Sequence, residues 1–275
     1  MFTASSLFPD QLSASIYGFV IDVSGRFILD GENEILPQPI AKVESTVAAG
    51  LTRKHYLGRY DDVDCVLFIV DTPENAETMN NAAYGLRTLF DMWDSDMWFV
   101  AGYAWQIFEW DRNHRFCGRC GATTRIVTGE RARKCGSCGL VNYPRISPSM
   151  IVLIQKDDEI LLAKNAQFKR PFYSILAGYV EPGETLYECV EREVFEEVGL
   201  KIRNIRFFES QYWPMSGSLM LGCTAEYASG SIRIDEKELS HAAWFKANAL
   251  PQVPPPKSIA GVMINEFVQR QQRIR

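Results

Sequence analysis

Strand-like runs of hydrophobic residues occur within the first seventy positions of the chain. Ile16–Val23 and Arg26–Leu29, separated by Ser24 and Gly25, predict a β-hairpin. The almost continuously apolar run Val63–Val70 predicts a strand that is buried on both faces. This part of the chain therefore has the pattern of a sheet.

Two stretches that follow have the three-to-four-residue apolar spacing of helices. They are Asn75–Phe90 and Asp96–Trp110, and the second carries Trp98, Trp105 and Trp110. We expect these tryptophans to lie in a core or a subunit interface. Stacking on nucleic-acid bases is the alternative, and nothing in the spacing selects it.

The second half of the chain alternates strand patterns with two helical stripes. The predicted strands are Met150–Gln155, Ile160–Ala163, Asn204–Ser210 and Leu219–Tyr227. Thr185–Val198 predicts a helix, and Ser258 can cap a last helix. The apolar face of that last helix would consist of Ile259, Val262, Met263, Phe267 and Val268.

Changes in composition divide the chain into three regions. Residues 112–145 are rich in Gly, Cys and Arg and have too few apolar residues to form a core of their own. We therefore expect an N-terminal domain over 1–111, a small middle domain over 112–145 and a C-terminal domain over 146–275. No internal repeat is apparent in the sequence.

The overall composition is that of a globular protein. The chain has 275 residues, of which 47% are hydrophobic and 23% charged, and this excludes a disordered or fibrous protein. No apolar run approaches the ~18 residues of a membrane span, and Met1–Asp10 does not resemble a secretory signal. We expect a cytoplasmic protein. The net charge of -5 argues against sequence-independent DNA binding.

Four of the seven cysteines form two Cys-x-x-Cys pairs. Cys117 and Cys120 make one pair, and Cys135 and Cys138 make the other, with fourteen residues between the two pairs. Two such turns can place four thiolates around one Zn²⁺, so the spacing predicts a structural zinc ribbon. A redox pair is the alternative. The remaining cysteines, Cys65, Cys189 and Cys223, lie in apolar surroundings and are expected in the core.

The same short region contains many cations and a single acidic residue, Glu130. The cations are Arg112, Arg115, Arg119, Arg125, Arg131, Arg133, Lys134 and Arg145. They can offset the negative charge of a four-thiolate zinc site. Alternatively, they form a surface that faces phosphates and accepts RNA, with Arg131 and Arg133 among the contacts.

The predicted helix over 185–198 carries a cluster of carboxylates beside its apolar stripe. At about 100° per residue, the glutamates share one arc, and Glu197 falls at the edge of the buried face. The cluster consists of Glu193, Glu196 and Glu197. Several oxygen ligands in one place favour Mg²⁺ or Mn²⁺, which suits phosphate chemistry. A solvated acidic helix face is the alternative.

The segment from Gly178 to Leu200 resembles the Nudix box, Gly-x5-Glu-x7-Arg-Glu-Val-x-Glu-Glu-x-Gly-Leu, at every specified position. The resemblance implies an α+β fold in which a mixed sheet lies between helices, and an enzyme that hydrolyses a nucleoside diphosphate linked to another moiety. It further implies that Glu193, Glu196 and Glu197 bind the divalent ions, with the carbonyl of Ala177 as a further ligand. Glu184 and Arg192 are expected to brace the loop and the helix.

A second resemblance concerns Ser210–Met220, which is similar to the Ser-Gln-Pro-Trp-Pro-Phe-Pro-x-Ser element of the NADH pyrophosphatase branch of the Nudix family. That branch also has a four-cysteine ribbon before its Nudix domain and a divergent N-terminal domain. The carried-over substrate-binding positions are Gln211, Tyr212, Trp213, Pro214, Met215, Ser216, Gly217, Ser218, Glu130, Tyr143 and Ala260. Glu238 matches a further metal-binding or base glutamate, whereas His241 is expected to be a surface or packing residue.

This branch implies hydrolysis of NAD(H) to nicotinamide mononucleotide and AMP, and removal of 5′ NAD caps from RNA. The expected cofactors are Mg²⁺ or Mn²⁺ for catalysis and Zn²⁺ for structure, and the expected partners are NAD(H), NAD-capped RNA and a second copy of the chain. Tyr212, Met215 and Ser216 depart from the branch pattern. Two alternatives therefore stay open: another dinucleotide or nucleotide-sugar substrate, and a non-catalytic nucleotide sensor that binds nucleic acid.

Overall fold

The computed structural model describes residues 1–29, 35, 37–48, 50–70, 82–167 and 172–274. Its chain divides into two compact units. The first consists of Met1–Arg145 with Pro214–Ser216, and the second of Ile146–Trp213 with Gly217–Arg275. No helix in the described ranges is long and apolar enough to cross a membrane.

The first unit contains a mixed sheet whose described strands are β1 (Phe2–Ala4), β2 (Ser15–Asp22), β3 (Phe27–Leu29), β4 (Gln38–Pro39), β5 (Leu51–Tyr60), β6 (Val63–Val70) and β7 (Ala82–Tyr84). Their order is β1-β5-β6-β2-β3-β7, with β4 also on β2. The pair β2–β6 is parallel, and the other pairs are antiparallel. The predicted hairpin and the predicted buried strand are confirmed.

Three helices of this unit lie in the described residues: α1 (Ile40–Val47), α2 (Leu86–Met92) and α3 (Ser95–Asn113). The prediction of one helix over 75–90 is wrong at 82–84, where the chain pairs with β3 as a strand; residues 75–81 lie outside the described ranges. The helix predicted over 96–110 is α3, which begins after Asp94, whose carboxylate accepts from the Met97 N–H at 2.9 Å.

The tryptophans of α3 are core residues for the most part. Trp98 is fully buried and its indole N–H donates to the Leu86 carbonyl at 3.1 Å, while Trp110 donates to the Asn142 carbonyl at 3.3 Å. These partners satisfy the one polar group of each ring. The core interpretation is therefore confirmed for both of them, and Trp105 is half-buried against Phe108.

Residues 112–145 form a small antiparallel sheet within the first unit. Its strands are β8 (Thr124–Ile126), β9 (Arg133–Cys135) and β10 (Val141–Asn142), in the order β10-β9-β8. This is a ribbon with almost no apolar core, as its composition predicts.

The second unit contains a mixed sheet between two helices. The described strands are β11 (Ser147–Lys156), β12 (Glu159–Asn165), β13 (Leu176–Tyr179), β14 (Lys201–Trp213), β15 (Ser218–Ser229) and β16 (Leu239–Lys246). Their order is β14-β15-β11-β12-β16, with β13 on β11, and the pair β11–β15 is parallel. Two helices follow in chain order: α4 (Leu186–Val198) and α5 (Ile259–Ile274).

The two helices cover opposite faces of this sheet. Met150, Val152 and Ile154 of β11 pack in one core with α4, while Ile151 and Leu153 pack in another core with α5. Both faces of β11 are buried, which explains its continuous apolar run. The predicted strands and helices of this half, and the predicted mixed sheet between helices, are confirmed.

Candidate active site and zinc centre

The four paired cysteines come together in the first unit. Their Sγ atoms all lie within 4.8 Å of one another, with 3.5 Å between Cys117 and Cys138 and 3.6 Å between Cys120 and Cys135. The Cys138 N–H donates to the Cys135 Sγ at 3.4 Å and helps to lower the pKa of that thiol to about 6. Four thiolate donors at one point fit Zn²⁺. The ribbon holds structural zinc.

Two of the basic residues in this region do not face solvent. The Arg131 guanidinium donates to the carbonyls of Ser5 and Tyr56 at 2.6 and 2.7 Å. The Arg133 side chain is buried and forms an ion pair with Asp111, at the C-terminal end of α3. The prediction that these two arginines face RNA is therefore wrong. They hold the ribbon to the sheet and α3 of the same unit.

Asp111 is the centre of that connection. Its carboxylate is fully buried and lies against Arg53, His55 and Arg133. Burial alone would raise the pKa of Asp111, but the hydrogen bond with His55 and the two guanidinium charges bring it below its usual value. The other cations of 112–145 are exposed: Arg112, Arg115, Arg119, Arg125, Lys134 and Arg145.

The three cysteines outside the ribbon are core residues, as predicted. Cys65, Cys189 and Cys223 are fully buried and unbridged. Burial raises the pKa of Cys65 to about 12 and that of Cys189 and Cys223 to about 11. These thiols are protonated at neutral pH and are not nucleophiles.

In the second unit, α4 is fixed at both ends by its sequence. The Thr185 hydroxyl accepts from the Glu188 N–H, and the Glu188 carboxylate accepts from the Thr185 N–H, which is a complete capping box. Gly199 ends the helix with a φ of 69°, the left-handed conformation that glycine adopts without strain. The helix predicted over 185–198 is confirmed.

Arg192 organises the loop and the exposed side of α4. Its guanidinium donates to Glu184, to Glu193 and Glu196 at 2.9 Å each, and to the Tyr179 carbonyl at 3.1 Å. It therefore ties the loop before the helix to the carboxylate cluster. This agrees with the bracing role that the resemblance implies for Glu184 and Arg192.

The Glu193 carboxyl group packs against β13 at Gly178, which has no side chain. A Cβ on Gly178 would overlap the Glu193 carboxyl group, so the helix can approach the strand only at a glycine. Burial raises the pKa of Glu193, although Arg192 partly offsets this effect. Glu196 points outward, with 58% of its side chain exposed.

Glu197 is the most unusual group of the cluster. It is 5% exposed, and no described residue gives its carboxylate a hydrogen bond or an ion pair. Burial first, and then the negative charges of Glu193 and Glu238, raise the pKa of Glu197 to about 8. A buried carboxylate among carboxylates requires a bound cation or a proton. Oxygen donors of this kind fit Mg²⁺ or Mn²⁺.

The four glutamates Glu193, Glu196, Glu197 and Glu238 do not form a closed ligand set. Among the described residues, only the ribbon cysteines bring three or more acidic, thiol or imidazole ligand atoms within 4.8 Å of one another. Glu238 lies in the turn before β16 and raises the pKa of both Glu193 and Glu197. Ala177 lies in β13, one residue before Gly178.

The predicted substrate residues fall into three places. Gln211 lies in β14 and contacts the start of α5. Its amide N–H donates to the Lys257 carbonyl at 3.3 Å, and its amide oxygen accepts from the Ile259 N–H at 2.7 Å. The buried Ala260 follows Ile259 in the helix. Tyr212, Trp213, Gly217 and Ser218 lie where β14 and β15 meet. The first unit contains the other predicted residues, namely Pro214, Met215, Ser216, Glu130 and Tyr143. The Tyr143 hydroxyl donates to the Glu130 carboxylate at 3.1 Å.

One neighbour of these residues, Tyr179, carries no signal in the motifs described above. The Tyr179 ring is 51% exposed, and its hydroxyl lies 3.5 Å from that of Ser218. An aromatic side chain directly after Gly178, at the end of a strand, was the available signal. His241 contacts Tyr173 at 3.3 Å and is exposed, in agreement with the packing role expected for it.

Comparison with known proteins places this site in a family. Residues 144–265 match the NUDIX domain, and residues 112–143 match the NADH pyrophosphatase zinc ribbon domain. A protein of Stutzerimonas stutzeri named NAD-capped RNA hydrolase NudC is 41% identical over 91% of this chain and 89% of its own length. The chain belongs to the Nudix hydrolase family. More narrowly, it belongs to the branch with the NADH pyrophosphatase zinc ribbon, as the sequence predicts.

Two further proteins resemble this chain. A protein of the same name from Pseudomonas fluorescens is 42% identical over 89% of this chain and 87% of its own length. Among solved structures, a NUDIX hydrolase from Nitrosomonas europaea is 22% identical, with a TM-score of 0.47 over 58% of this chain and 92% of that one.

The N-terminal region proves to be related to the Nudix fold itself. Residues 19–110 match the NADH pyrophosphatase-like rudimentary NUDIX domain. Its strands β5-β6-β2-β3 repeat the order and the pairing directions of β14-β15-β11-β12. A repeat that is not apparent in the sequence is therefore present in the strand topology. α1, which precedes β5 as α4 precedes β14, carries only Glu44 as an acidic residue and has no carboxylate cluster.

Proposed function

We propose that this Nudix hydrolase cleaves the central diphosphate of NAD(H) to nicotinamide mononucleotide and AMP. The same cut in a 5′ NAD cap would release RNA with a 5′ monophosphate. The names of its relatives and of its ribbon domain support this substrate class. The observation that carries the proposal is the buried, unpartnered carboxylate of Glu197 within a set of four glutamates.

The metal-binding residues follow from this arrangement. Glu193, Glu196, Glu197 and Glu238, with the Ala177 carbonyl, would hold Mg²⁺ or Mn²⁺. When bound, such ions neutralise phosphate oxygens and favour the ionisation of water. The Glu238 carboxylate, exposed on its turn, would accept the proton from the attacking water.

The substrate would lie on the α5 side of the sheet, beside Tyr179 and Ser218. The exposed face of Tyr179 offers a stacking surface for a base or a nicotinamide ring. Gln211 and Ala260 would shape the pocket through the first turn of α5. The remaining predicted residues, namely Glu130, Tyr143, Tyr212, Trp213, Pro214, Met215, Ser216 and Gly217, are proposed to complete substrate binding.

The organisation and location of the protein are also proposals. We infer three domains over 1–111, 112–145 and 146–275. Exposed apolar side chains on the ribbon, including Phe116 and Tyr143, support a homodimer. None of the seven cysteines forms a disulfide bond, which supports a reducing compartment such as the cytoplasm.

A substrate panel tests the proposal. Purified protein is assayed on NADH, NAD⁺, NAD-capped RNA, ADP-ribose and a nucleotide-sugar, each with Mg²⁺, with Mn²⁺ and without either ion. We expect nicotinamide mononucleotide and AMP from NADH only when an ion is present. Faster cleavage of the nucleotide-sugar would reassign the substrate. Binding of NADH without turnover under every condition would instead indicate a sensor.

A further inference from the structure

The turn that carries Glu238 is bonded to the end of α4 and to the residue that follows β12. This Glu238 turn, residues 235–239, begins at Asp235, whose N–H donates to the Glu197 carbonyl at 2.9 Å. At its other end, the Ala166 N–H at the end of β12 donates to the Glu238 carbonyl at 2.8 Å. Glu238 itself is exposed, so its position depends on these backbone contacts.

The contact with α4 uses groups that a helix leaves without partners. The last carbonyls of any helix have no N–H partner within the helix and need donors from outside it. Here the Arg233 N–H donates to the Val198 carbonyl at 2.8 Å, and the Asp235 N–H donates to the Glu197 carbonyl. The chain leading to Glu238 is therefore bonded to the residue that bears the buried carboxylate.

Asp235 also closes the turn internally. Its Oδ1 accepts from the Lys237 N–H at 2.9 Å, and its carbonyl accepts from the Glu238 N–H at 3.1 Å and the Leu239 N–H at 2.8 Å. A short side chain that accepts from the backbone two residues later is an Asx turn, which aspartate and asparagine both form. All backbone N–H groups from 237 to 239 thus bond to this one residue.

We propose that Asp235 is a positioning residue: its side chain closes the turn whose backbone is bonded to the end of α4, and so holds the Glu238 carboxylate near Glu193 and Glu197. This inference rests on the proposed function of Glu238. The task is geometric, because the Asp235 Oδ1 accepts from a backbone N–H of the turn. The Asp235 charge also contributes to the raised pKa of Glu197, so geometry and charge are tested separately.

Two substitutions separate geometry from charge. Asp235→Asn keeps the acceptor and removes the charge, whereas Asp235→Glu keeps the charge and moves the acceptor by one methylene. We expect kcat on NADH to stay within about twofold for Asp235→Asn and to fall ~10-fold for Asp235→Glu and Asp235→Ala, with KM nearly unchanged. Glu236→Ala, which removes a neighbouring exposed charge, is the matched control.

A double-mutant cycle shows whether Asp235 acts through Glu238. Glu238→Gln alone should lower kcat by ~100-fold or more, and adding Asp235→Ala should cause no further loss. A merely structural role would instead give additive losses and would lower the melting temperature of both single and double variants. Additive losses, equal losses for Asp235→Asn and Asp235→Ala, or no loss for Asp235→Glu would each overturn the proposal.

A substrate-free measurement keeps this test independent of the substrate assignment. Mn²⁺ binding, followed by electron paramagnetic resonance, should weaken in Asp235→Glu and stay near wild type in Asp235→Asn, while zinc content is unchanged. If NADH is not cleaved but Mn²⁺ binding follows this pattern, the substrate assignment fails and the positioning role stands. Identical Mn²⁺ affinity in Asp235→Glu and wild type would reject the positioning role.

Discussion

Replacing Glu197 by Gln should produce opposite effects with and without a divalent ion. The pKa of this carboxyl rises from 4.5 to about 8 in the folded chain. A raised acid pKa lowers stability as the pH rises above the unfolded pKa, because the unfolded carboxyl ionises and the folded one does not. At pH 7 this difference amounts to about 3 kcal/mol.

Gln has nearly the shape of a protonated Glu and never ionises, so the variant loses this penalty. In protein free of Mg²⁺ and Mn²⁺ but retaining its zinc, we expect Glu197→Gln to melt about 5–10 °C above wild type at pH 7. The advantage should shrink as the pH falls through 4.5, because below that value the wild-type carboxyl is protonated in both states. Differential scanning fluorimetry across that pH range measures it.

Addition of Mn²⁺ should reverse the order. Binding to the folded state alone stabilises wild type, whereas the variant lacks the buried carboxylate and should gain little. Turnover of NADH at saturating ion should fall at least ~100-fold. Glu191→Gln, on the exposed side of the same helix, is the control for loss of one charge. Equal stabilisation of both proteins by Mn²⁺, with near-wild-type turnover, would refute the assignment.

Three further predictions concern the ribbon and the helix. Cys120→Ser should lower zinc content and melting temperature together; Ser137→Ala in the second knuckle should change neither, and full zinc retention by Cys120→Ser would contradict the ligand role. Arg133→Met removes one partner of the buried Asp111 carboxylate and should lower the free energy of unfolding by about 3 kcal/mol. Cleavage of NADH and of capped RNA should then fall in parallel. A loss of RNA cleavage alone would restore the RNA-facing interpretation. Thr185→Ala removes one half of the capping box and should cost about 1 kcal/mol, measured by urea unfolding; an unchanged midpoint would show that the cap is dispensable.

The elements that could be predicted from the sequence are those whose pattern has one physical explanation. β6 and β11 each contain a run of apolar residues because both faces of the strand are buried there. The sequence of α4 shows a capping box, an apolar stripe and a terminal glycine. The two cysteine pairs likewise specify one arrangement. In each case local chemistry and tertiary packing agree.

The remainder depends on which distant segments meet. Residues 82–84 belong to a stretch whose apolar residues have helical spacing. They form a strand because they pair with β3. Arg131 looks like a surface cation, yet two carbonyls from residues far away in sequence enclose it. Asp235 carries no motif at all. The repeat of the Nudix topology is invisible for the same reason: strand order is preserved where side chains are not.

The seven thiols differ in burial, and the accessible ones, Cys120 and Cys138, lie in the ribbon. Thiol-reactive reagents should therefore modify the folded protein at the ribbon. Maleimides and similar reagents need an accessible thiolate, and Cys65, Cys189 and Cys223 offer neither access nor ionisation near neutral pH. Labelling of the folded protein would therefore count ribbon thiols, and its rate would report how readily they part from their metal. A fluorophore could be installed elsewhere on the surface through a new cysteine without first removing these three.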